Sequence, residues 1–356
     1  MENKKRVLLG MSGGVDSSVA AILLKEQGYD VIGITMQLLD SEENNTVLDA
    51  KRVCDYLNIK HYIVDFKDEF DKYVVKDFIC QYKNCKTPNP CIECNKYLKF
   101  DAIYKKAQEL ECDFIATGHY AKIEYDETYN KNVLKKSNAG KKDQSYVLYN
   151  ISSDLLDKII FPLGDFESKD KIRDIAKKYN LPVANKPDSE DICFIPDGDY
   201  KTFLENNSDI KSKEGNIVDK NGNILGKHTG LYKYTIGQRK GLGISNSVPL
   251  FVIGFDKNRN EVIVGEEKDL YKKECTVRDI NLLLIDKIDK ELEVQVKTRY
   301  SSKDAKAKII QQENIMKVLF DEPQRAITPG QSAVFYDGDI VIGGGKIMEE
   351  IYEFGA

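Results

Sequence analysis

Apolar and polar positions follow two different patterns along this chain, and the first third alternates predicted strands with predicted helices. Short apolar runs predict strands at residues 6–11, 30–38, 61–64 and 113–116. Apolar side chains at helical spacing predict helices at residues 16–27, 46–57, 68–81 and 94–110. Strands separated by helices of this length predict right-handed βαβ crossovers and a parallel sheet.

Beyond residue 200 the pattern changes to short strands and turns. Asn221-Gly222 predicts a β-hairpin. Further strands are predicted at residues 251–255, 261–264, 292–296, 305–310, 315–320, 334–336 and 340–342. Alternating segments of this kind are typical of a small antiparallel barrel or sandwich. We predict an α/β fold in three parts: a Rossmann-like parallel-sheet domain at 1–206, a small mixed α/β domain at 207–272 and a C-terminal antiparallel β-barrel at 273–356.

Length and composition are those of an ordinary globular protein. The 356 residues exceed what one core usually organises, and 41% hydrophobic with 31% charged residues excludes a mostly disordered chain. No apolar run approaches the roughly 18–20 residues that cross a bilayer, and the first residues do not resemble a secretory signal. We expect a soluble, cytoplasmic protein with no membrane partner.

The charge pattern says more than the net charge. A formal net charge of −5, from 53 basic and 58 acidic residues, argues on its face against a nucleic-acid partner. The average conceals two basic stretches without acids, at residues 128–142 and 220–255. Such stretches are candidate phosphate contacts, and solvated loop faces are the simpler alternative. Charge alone favours that simpler alternative.

The string Ser12-Gly13-Gly14-Val15-Asp16-Ser17-Ser18, here called the phosphate loop, connects the first predicted strand to the first predicted helix. Its glycines leave backbone N–H groups open to a ligand, its serines add hydroxyl donors, and the helix N-terminus adds positive partial charge. Because open α/β sheets bind ligands at the carboxyl ends of their strands, we predict an anion site here. The string is neither a P-loop nor GxGxxG, and a capped glycine-rich turn is the alternative.

The eight cysteines are not expected to form structural disulfides in a reducing compartment. Four of them fall within fifteen residues: Cys80, Cys85, Cys91 and Cys94. Such clustering indicates metal or redox chemistry. Cys94 opens the predicted helix 94–110, where the helix dipole and Lys96 or Lys99 would favour a thiolate. A zinc site made by the four is a weaker alternative, because the x₄ and x₅ spacings among them are unusual.

The phosphate loop resembles the SGGxDS loop of the N-type ATP pyrophosphatases, which cleave ATP between the α- and β-phosphates and adenylate a substrate oxygen. Further strings narrow the resemblance to the tRNA-specific 2-thiouridylase family. They are TPNPCIECNK at 87–96, TGHYA at 117–121, KDQSYVLY at 142–149, DSEDICFI at 188–195, TIGQRKGLGI at 235–244 and TPGQSAVFY at 328–336. The match runs in unbroken order from about residue 6 to 347.

The resemblance implies an ATP-dependent tRNA-uridine 2-sulfurtransferase that adenylates and then thiolates C2 of the wobble uridine, position 34, releasing AMP and pyrophosphate. A persulfide on Cys193 would attack the activated base, and Cys94 would then attack the sulfur–sulfur bond and form a disulfide with Cys193. In the alternative order, Cys94 releases hydrosulfide first. The implied partners are tRNAs for Lys, Glu and Gln, and a cysteine desulfurase or sulfur-relay protein as sulfur donor.

The resemblance also implies a set of binding residues. ATP, with Mg²⁺, would be contacted by Gly10, Met11, Ser12, Gly13, Gly14, Val15, Asp16, Ser17, Met36 and Gly118. The flipped target base would be bordered by Asn89, Pro90 and Cys91. Other parts of the tRNA would be contacted by Lys142, Asp143, Gln144, Arg299 and Tyr300. For Met36 and Tyr300, simple core packing is the alternative.

One position departs from the family pattern. Many members have Asp three residues before the nucleophilic cysteine, where this chain has Cys91. A thiol is a weaker candidate than a carboxylate for moving a proton or orienting the base. The change creates three candidate thiolate ligands, Cys91, Cys94 and Cys193, and three cysteines are enough to hold a labile [4Fe–4S] cluster. We take such a cluster as a hypothesis.

Two rival functions are compatible with parts of the sequence. Another ATP-pyrophosphatase-type synthetase, or an amidotransferase partner, would use the phosphate loop with ammonia as nucleophile and would not need Cys94 or Cys193. A non-catalytic RNA-binding protein with structural zinc would leave the phosphate loop unexplained.

Overall fold

The computed structural model describes residues 4–39, 45–187 and 192–349. The strands are β1 (Arg6–Gly10), β2 (Asp30–Gln37), β3 (Lys60–Asp65), β4 (Phe114–Ala116), β5 (Ala121–Asp126), β6 (Lys131–Lys136), β7 (Ile159–Ile160), β8 (Gly215–Val218), β9 (Ile224–His228), β10 (Phe251–Asp256), β11 (Glu261–Gly265), β12 (Tyr271–Leu282), β13 (Leu292–Lys297), β14 (Ala305–Gln312), β15 (Ile315–Arg325), β16 (Ser332–Asp337) and β17 (Ile340–Ile347). The α-helices are α1 (Val15–Glu26), α2 (Asn45–Tyr56), α3 (Lys67–Phe70), α4 (Lys76–Lys83), α5 (Pro90–Glu93), α6 (Ile103–Glu109), α7 (Ser145–Leu148), α8 (Lys169–Lys178) and α9 (Tyr200–Asn207). The first four residues of the DSEDICFI string, 188–191, lie outside the described residues.

A parallel sheet organises the first part of the chain. Its strand order is β3-β2-β1-β4-β7, and the paired neighbours run parallel. Val7, Leu8 and Leu9 of the central strand are fully buried, because elements pack on both faces of the sheet. The connections from β1 lead to opposite sides, to β2 and later to β4, which makes the carboxyl end of β1 a topological switch point. The phosphate loop follows β1 at this point.

A long helix carries two of the clustered cysteines. It runs without interruption from α5 through a π-helical segment, Cys94–Ala102, into α6, and is called the thiol helix below. It begins four residues earlier than the sequence predicts. Asn89 is its N-cap, with a side chain that accepts a hydrogen bond from the Cys91 N–H at 3.2 Å, and Pro90 occupies the first turn.

The remaining strands form two further sheets. The middle of the chain forms a four-stranded sheet in the order β10-β11-β8-β9, and the predicted hairpin turn contains Gly222 at a φ of +83°. The last strands follow the order β12-β15-β14-β13-β16-β17, and β12 also pairs with β17, which closes an antiparallel barrel. The predicted fold class is confirmed. The exact domain boundaries stay a prediction.

One hairpin was missing from the predicted elements. Strand β5 pairs with strand β6, which lies in the basic stretch 128–142, and this antiparallel pair extends the barrel sheet through β17. Next to it, Tyr146 and Tyr149 are fully buried and hydrogen-bond to Ser332 of β16 at 2.9 and 3.0 Å. The first domain is therefore joined to the barrel by a buried seam. Among the described residues no helix is long and apolar enough to cross a membrane.

Candidate active site

The phosphate loop is fixed by its own serines. The Ser17 hydroxyl accepts a hydrogen bond from the Ser12 N–H at 3.2 Å, and the Ser18 hydroxyl donates to the Gly14 carbonyl at 2.7 Å. Gly13 has a φ of +64°, and a Cβ there would lie 2.4 Å from the Thr46 carbonyl oxygen. Gly14 caps α1 without a side-chain hydrogen bond, so N–H groups of the first turn stay available to an anion.

The Thr117–Ala121 segment, called the TGHYA loop, lies directly against the phosphate loop. A Cβ added to Gly118 would lie 2.8 Å from the Ser17 backbone nitrogen, so only glycine permits this approach. Gly10 packs beside Thr117 at the end of β1. The structure thus brings together the predicted ATP residues at 10–17 and Gly118, which are about a hundred positions apart in the sequence.

The same sheet edge carries Met11, from the set 10–17, and Met36, the remaining predicted ATP residue. Met11 is buried and is held at both ends, its N–H by the Ile34 carbonyl at 2.7 Å and its carbonyl by the Thr35 hydroxyl at 2.8 Å. Met36 lies half-buried near the end of β2 and packs on the core. Contact with ATP stays a prediction for every residue of this set.

Two lysines that sequence reasoning missed reach the phosphate loop. Lys169 donates to Asp16 at 2.6 Å, and Tyr120 donates to the other oxygen of the same carboxylate at 2.7 Å. Lys186 donates to the Gly13 carbonyl at 3.1 Å and to Asp49 at 2.7 Å. Ammonium groups beside open backbone donors suit a polyphosphate. Both lysines are more than 150 positions from the loop, and no local motif marks them.

The three cysteines singled out by the sequence interact electrostatically. Cys94 is buried, whereas Cys91 and Cys193 are exposed. Burial raises the pKa of Cys94 to about 12, and the nearby thiols of Cys193 and Cys91 add to the rise against the opposing charge of Lys99. The expectation of a thiolate at the start of a helix is therefore wrong for the resting protein. The helix starts at Pro90, and desolvation outweighs the lysine.

Cys193 is positioned by its neighbour in the chain. Phe194 inserts into an aromatic group, with ring centroids 5.6 Å from Phe70, 5.3 Å from Phe78 and 5.2 Å from Phe203. This anchor fixes the backbone next to an exposed thiol. Desolvation, and then the Cys91 thiol, raise the pKa of Cys193, while Lys99 opposes the rise.

Lys99, which acts electrostatically on Cys94 and Cys193, is linked by hydrogen bonds to the TGHYA loop. The Lys99 Nζ lies 3.4 Å from His119 Nε2, and His119 Nδ1 lies 2.7 Å from the Thr117 hydroxyl. Burial, together with the charge of Lys99, holds the pKa of His119 well below its usual value. The imidazole is therefore neutral at physiological pH. Lys96, the other lysine suggested by the sequence, instead lies over the Tyr97 ring at 5.2 Å.

The donor set does not fit the hypothesised metal groups. Within residues 4–39, 45–187 and 192–349, no three side chains of His, Cys, Asp or Glu are grouped as metal ligands would be. Cys91, Cys94 and Cys193 lie in this part, and so do Cys80 and Cys85. The described residues therefore support neither the [4Fe–4S] cluster nor the zinc site.

The predicted base-bordering and tRNA residues fall into two groups. Asn89 and Pro90 start the thiol helix, Cys91 is exposed in its first turn, and Tyr300, which is 36% exposed, lies within electrostatic reach of Cys91. Cys91 and Tyr300 are thus exposed, whereas Asn89 is half-buried and Pro90 is buried. Contact with tRNA stays a prediction.

The second group lies inside the protein. Asp143 is buried and accepts hydrogen bonds from Ser145, and Gln144 bonds the Tyr120 backbone in both directions, at 2.9 and 2.8 Å. The Arg299 guanidinium donates to carbonyls of Ile236 and Ala326 and to the Thr328 hydroxyl, between the central sheet and the barrel. These three side chains hold the segments together. Lys142, by contrast, is exposed.

Several lysines of the two basic stretches are paired with acids from outside those stretches. Lys135 pairs with Glu124, Lys136 with Asp304, Lys220 with Asp269 and Lys233 with Glu205, at 2.5–3.2 Å. The local absence of acids therefore did not predict an open basic surface. Lys141, Arg239 and Lys240 are exposed, and no ion-pair partner reaches them from the described residues.

Comparisons with known proteins cover nearly the whole chain. The family profiles that match are a tRNA methyl transferase HUP domain at residues 5–197, a tRNA methyl transferase PRC-barrel domain at 201–266 and an aminomethyltransferase beta-barrel domain at 272–347. Among solved structures, NMN synthetase from Francisella tularensis aligns with a TM-score of 0.34 and 18% identity over 51% of this chain and 66% of that chain.

Curated relatives are similar from end to end. The tRNA-specific 2-thiouridylase MnmA of Clostridioides difficile is 50% identical, over 98% of this chain and 99% of the relative. The proteins of the same name from Clostridium botulinum and Acetivibrio thermocellus are 52% and 49% identical, over 97% of this chain and 98% and 100% of their own lengths. The resemblance inferred from the sequence strings is confirmed, and the chain belongs to the tRNA-specific 2-thiouridylase family.

Proposed function

We propose that this chain adenylates O2 of the wobble uridine of tRNA with ATP and then replaces that oxygen with sulfur, giving 2-thiouridine, AMP and pyrophosphate. Membership of the family supports tRNA thiolation as the reaction. One structural observation carries the proposal furthest. The TGHYA loop contacts the phosphate loop through Gly118 and the thiol helix through His119 and Lys99, so a nucleotide site and a thiol pair share one scaffold.

The phosphate loop is the proposed ATP site. Open N–H groups at the start of α1 and the ammonium groups of Lys169 and Lys186 would hold the phosphates, and Mg²⁺ would arrive on ATP, with Asp16 as the carboxylate of the loop. Uracil O2 attacks the α-phosphate, and the bond to pyrophosphate breaks. The negative charge of the departing pyrophosphate is stabilised by the N–H and ammonium donors already in place. Adenylation converts a poor leaving group into AMP.

The two cysteines are the proposed sulfur-transfer pair. The terminal sulfur of a persulfide on Cys193 attacks C2, and AMP departs with the bonding electrons. The Cys94 sulfur then attacks Sγ of Cys193, the bond from that Sγ to the transferred sulfur breaks, and 2-thiouridine leaves. A Cys94–Cys193 disulfide remains and needs two electrons from a thiol reductant. The exposure of Cys193 suits loading by an external donor, and the burial of Cys94 suits a thiol that acts last.

The proposed position of the flipped base is at the exposed side chains of Cys91 and Tyr300, next to Asn89 and Pro90 at the start of the thiol helix. The Tyr300 ring is exposed on one side and packs edge-on against Tyr146 at 6.2 Å on the other, so it offers a fixed aromatic surface. Cys91 stands where the family pattern inferred from the sequence has Asp, so in this chain a thiol would face the base.

Reconstitution tests the proposal. The protein is incubated with ATP, a persulfide donor, a thiol reductant and unmodified tRNA for Lys, Glu or Gln, and nucleosides and AMP are quantified. We expect 2-thiouridine and AMP from the wild type. Cys193→Ser is expected to abolish 2-thiouridine while tRNA affinity is kept, because the phosphate loop and the proposed base position are unchanged.

Cys80→Ser is the matched control, since Cys80 is also an exposed thiol and lies on α4 away from the pair. It is expected to retain activity. Full 2-thiouridine formation by Cys193→Ser would contradict the persulfide assignment. AMP release with ammonia as co-substrate and no need for either cysteine would favour the synthetase alternative instead.

A further inference from the structure

We propose that Lys99 is a positioning residue for sulfur transfer, whose ammonium His119 holds in place so that it faces both Cys94 and Cys193. The inference rests on the proposed function, because it assigns a role within the sulfur-transfer step. In the sequence, Lys99 is one of two lysines that could favour a thiolate at Cys94, and His119 lies in the TGHYA string without an assigned role. Three features support this role: the π-helical turn, the position of His119 and the charges around the two thiols.

The backbone of the thiol helix places Lys99 next to Cys94. The segment Cys94–Ala102 is π-helical, and π-helical hydrogen bonds join residues five positions apart. Cys94 and Lys99 are therefore separated by one turn of this segment. In an α-helix the residues on one face are three or four positions apart, so Lys99 would point away from Cys94. π-Helical turns are frequently found at functional sites, and here the turn has a specific consequence.

His119 fixes where the ammonium points. A lysine ammonium only donates hydrogen bonds, so the His119 Nε2 at 3.4 Å from Nζ is the acceptor. The proton of the neutral ring then lies on Nδ1, which donates to the Thr117 hydroxyl at 2.7 Å. The ring is buried and packed between Phe100 and Phe161, with centroid distances of 6.1 and 6.0 Å. It cannot turn away from the lysine.

Lys99 is the cation common to the surroundings of both thiols. The titratable groups that act on Cys94 are Lys99, Cys193 and Cys91, and those that act on Cys193 are Cys91 and Lys99. Among the described residues, the other titratable groups that act on these two cysteines are thus thiols. Once ionised, such thiols repel a thiolate. A persulfide anion on Cys193 and a thiolate on Cys94 both need a nearby positive charge, and Lys99 supplies it.

The assigned step is the attack of Cys94 on Sγ of Cys193. The Cys94 proton leaves to solvent before the attack, the Cys94–Cys193 bond forms, and the bond between Cys193 and the transferred sulfur breaks. Lys99 is neither oxidised nor reduced. The charge of Lys99 stabilises the attacking thiolate. The hydrogen bond from Lys99 to His119 connects the ammonium to the TGHYA loop, which contacts the proposed nucleotide site.

Thiol reactivity tests the inference without ATP, tRNA or sulfur donor. The full-length reduced protein is treated with iodoacetamide across a range of pH, and alkylation of Cys193 and Cys94 is followed separately by mass spectrometry. Lys99→Met is expected to slow alkylation of the exposed Cys193 about tenfold near neutral pH, since a close opposite charge shifts a pKa by about one unit. Lys99→Arg is expected to keep most of the rate.

Lys96→Met is the matched control, because Lys96 lies on the same segment with its ammonium over the Tyr97 ring. Equal Cys193 rates in Lys99→Met and Lys96→Met would overturn the inference. So would a folded Lys99→Arg variant that is as slow as Lys99→Met. If Lys99→Met does not fold, His119→Leu decides, since it frees the ammonium and must be slower than Lys99→Arg. Failure to form 2-thiouridine in the reconstitution would leave these rates unaffected.

Discussion

Burial, more than charge, sets the resting state of single thiols in this protein. Cys94 has a lysine one turn away and still has a pKa of about 12, because desolvation of the thiolate is the largest effect. The sequence shows the lysine and the predicted helix start, but it does not show how deeply the Cys94 thiol is buried. The sulfur chemistry proposed for Cys94 therefore needs the substrate complex to change its surroundings or to stabilise the thiolate.

A buried thiol outside the site gives a test of stability against pH. Burial raises the pKa of Cys54 from 9.0 to about 12, and a Cβ at Gly33 would lie 2.9 Å from its sulfur. Because the folded pKa exceeds the unfolded one, this stability is present below pH 9.0 and is lost as pH rises toward 12. In Cys54→Ala, the unfolding free energy is expected to fall less steeply as pH rises from 9 toward 12. The reason is that unfolding then releases about one proton fewer.

Urea unfolding under reducing conditions, repeated from neutral to alkaline pH, measures that slope. Cys80→Ala, which removes an exposed thiol, serves as the control and is expected to keep the wild-type slope. Parallel slopes for Cys54→Ala and the wild type would show that the thiol ionises equally in both states.

At the scale of elements, the thiol helix shows what local sequence contains and what it omits. The Asn89-Pro90 pair is a recognisable start signal for a helix, and it was available in the sequence. The π-helical turn is different, because its extra residue is accommodated by packing against the rest of the fold. The sequence offers Lys96 and Lys99 alike as neighbours of Cys94, and the structure selects Lys99.

The thiol helix is attached to the barrel by one ion pair. Lys346 of β17 lies 2.9 Å from Glu93, and the two side chains are only 20% and 8% exposed. The Glu93 charge raises the pKa of Lys346 although burial acts to lower it. The barrel thus supports the helix that carries Cys94.

Breaking this pair from one side is expected to be costly. Glu93→Gln or Lys346→Met leaves one buried charge without its partner, which lowers the unfolding free energy by about 3 kcal/mol. The double variant Glu93→Gln/Lys346→Met is expected to lose less than the sum, and denaturant unfolding gives the coupling energy. Glu167→Gln/Lys171→Met, which removes an exposed pair on the surface, is expected to change stability little. Additive losses at Glu93 and Lys346 would contradict the coupling.

Across the whole molecule, charge cannot be judged from neighbours in sequence. Lys136 seems free in its own stretch, yet Asp304, 168 positions later, lies 2.5 Å away. For the same reason the β5–β6 hairpin went unpredicted, since its partner β17 lies some 200 positions downstream. The strands and helices of the parallel sheet were predicted well, because their buried faces leave a local apolar pattern.

Binding of tRNA is expected to depend on the few exposed cations that lack partners. Arg239→Ala is expected to weaken tRNA binding and to reduce the slope of log affinity against log salt by about one. Lys220→Ala is the control from the same basic stretch, because Asp269 already compensates its charge at 2.7 Å. Fluorescence titration with one tRNA at several salt concentrations provides both numbers. An unchanged slope for Arg239→Ala would place the tRNA elsewhere.

Strand β17 gives the molecule an order of assembly. It closes the barrel against β12, pairs with β6 and carries Lys346 to Glu93. A ribosome delivers the phosphate loop early and this strand late, so a nascent chain has that loop long before the helix bearing Cys94 gains its support. For the proposed reaction, this order would make the support of Cys94 one of the last parts of the site to be completed during translation.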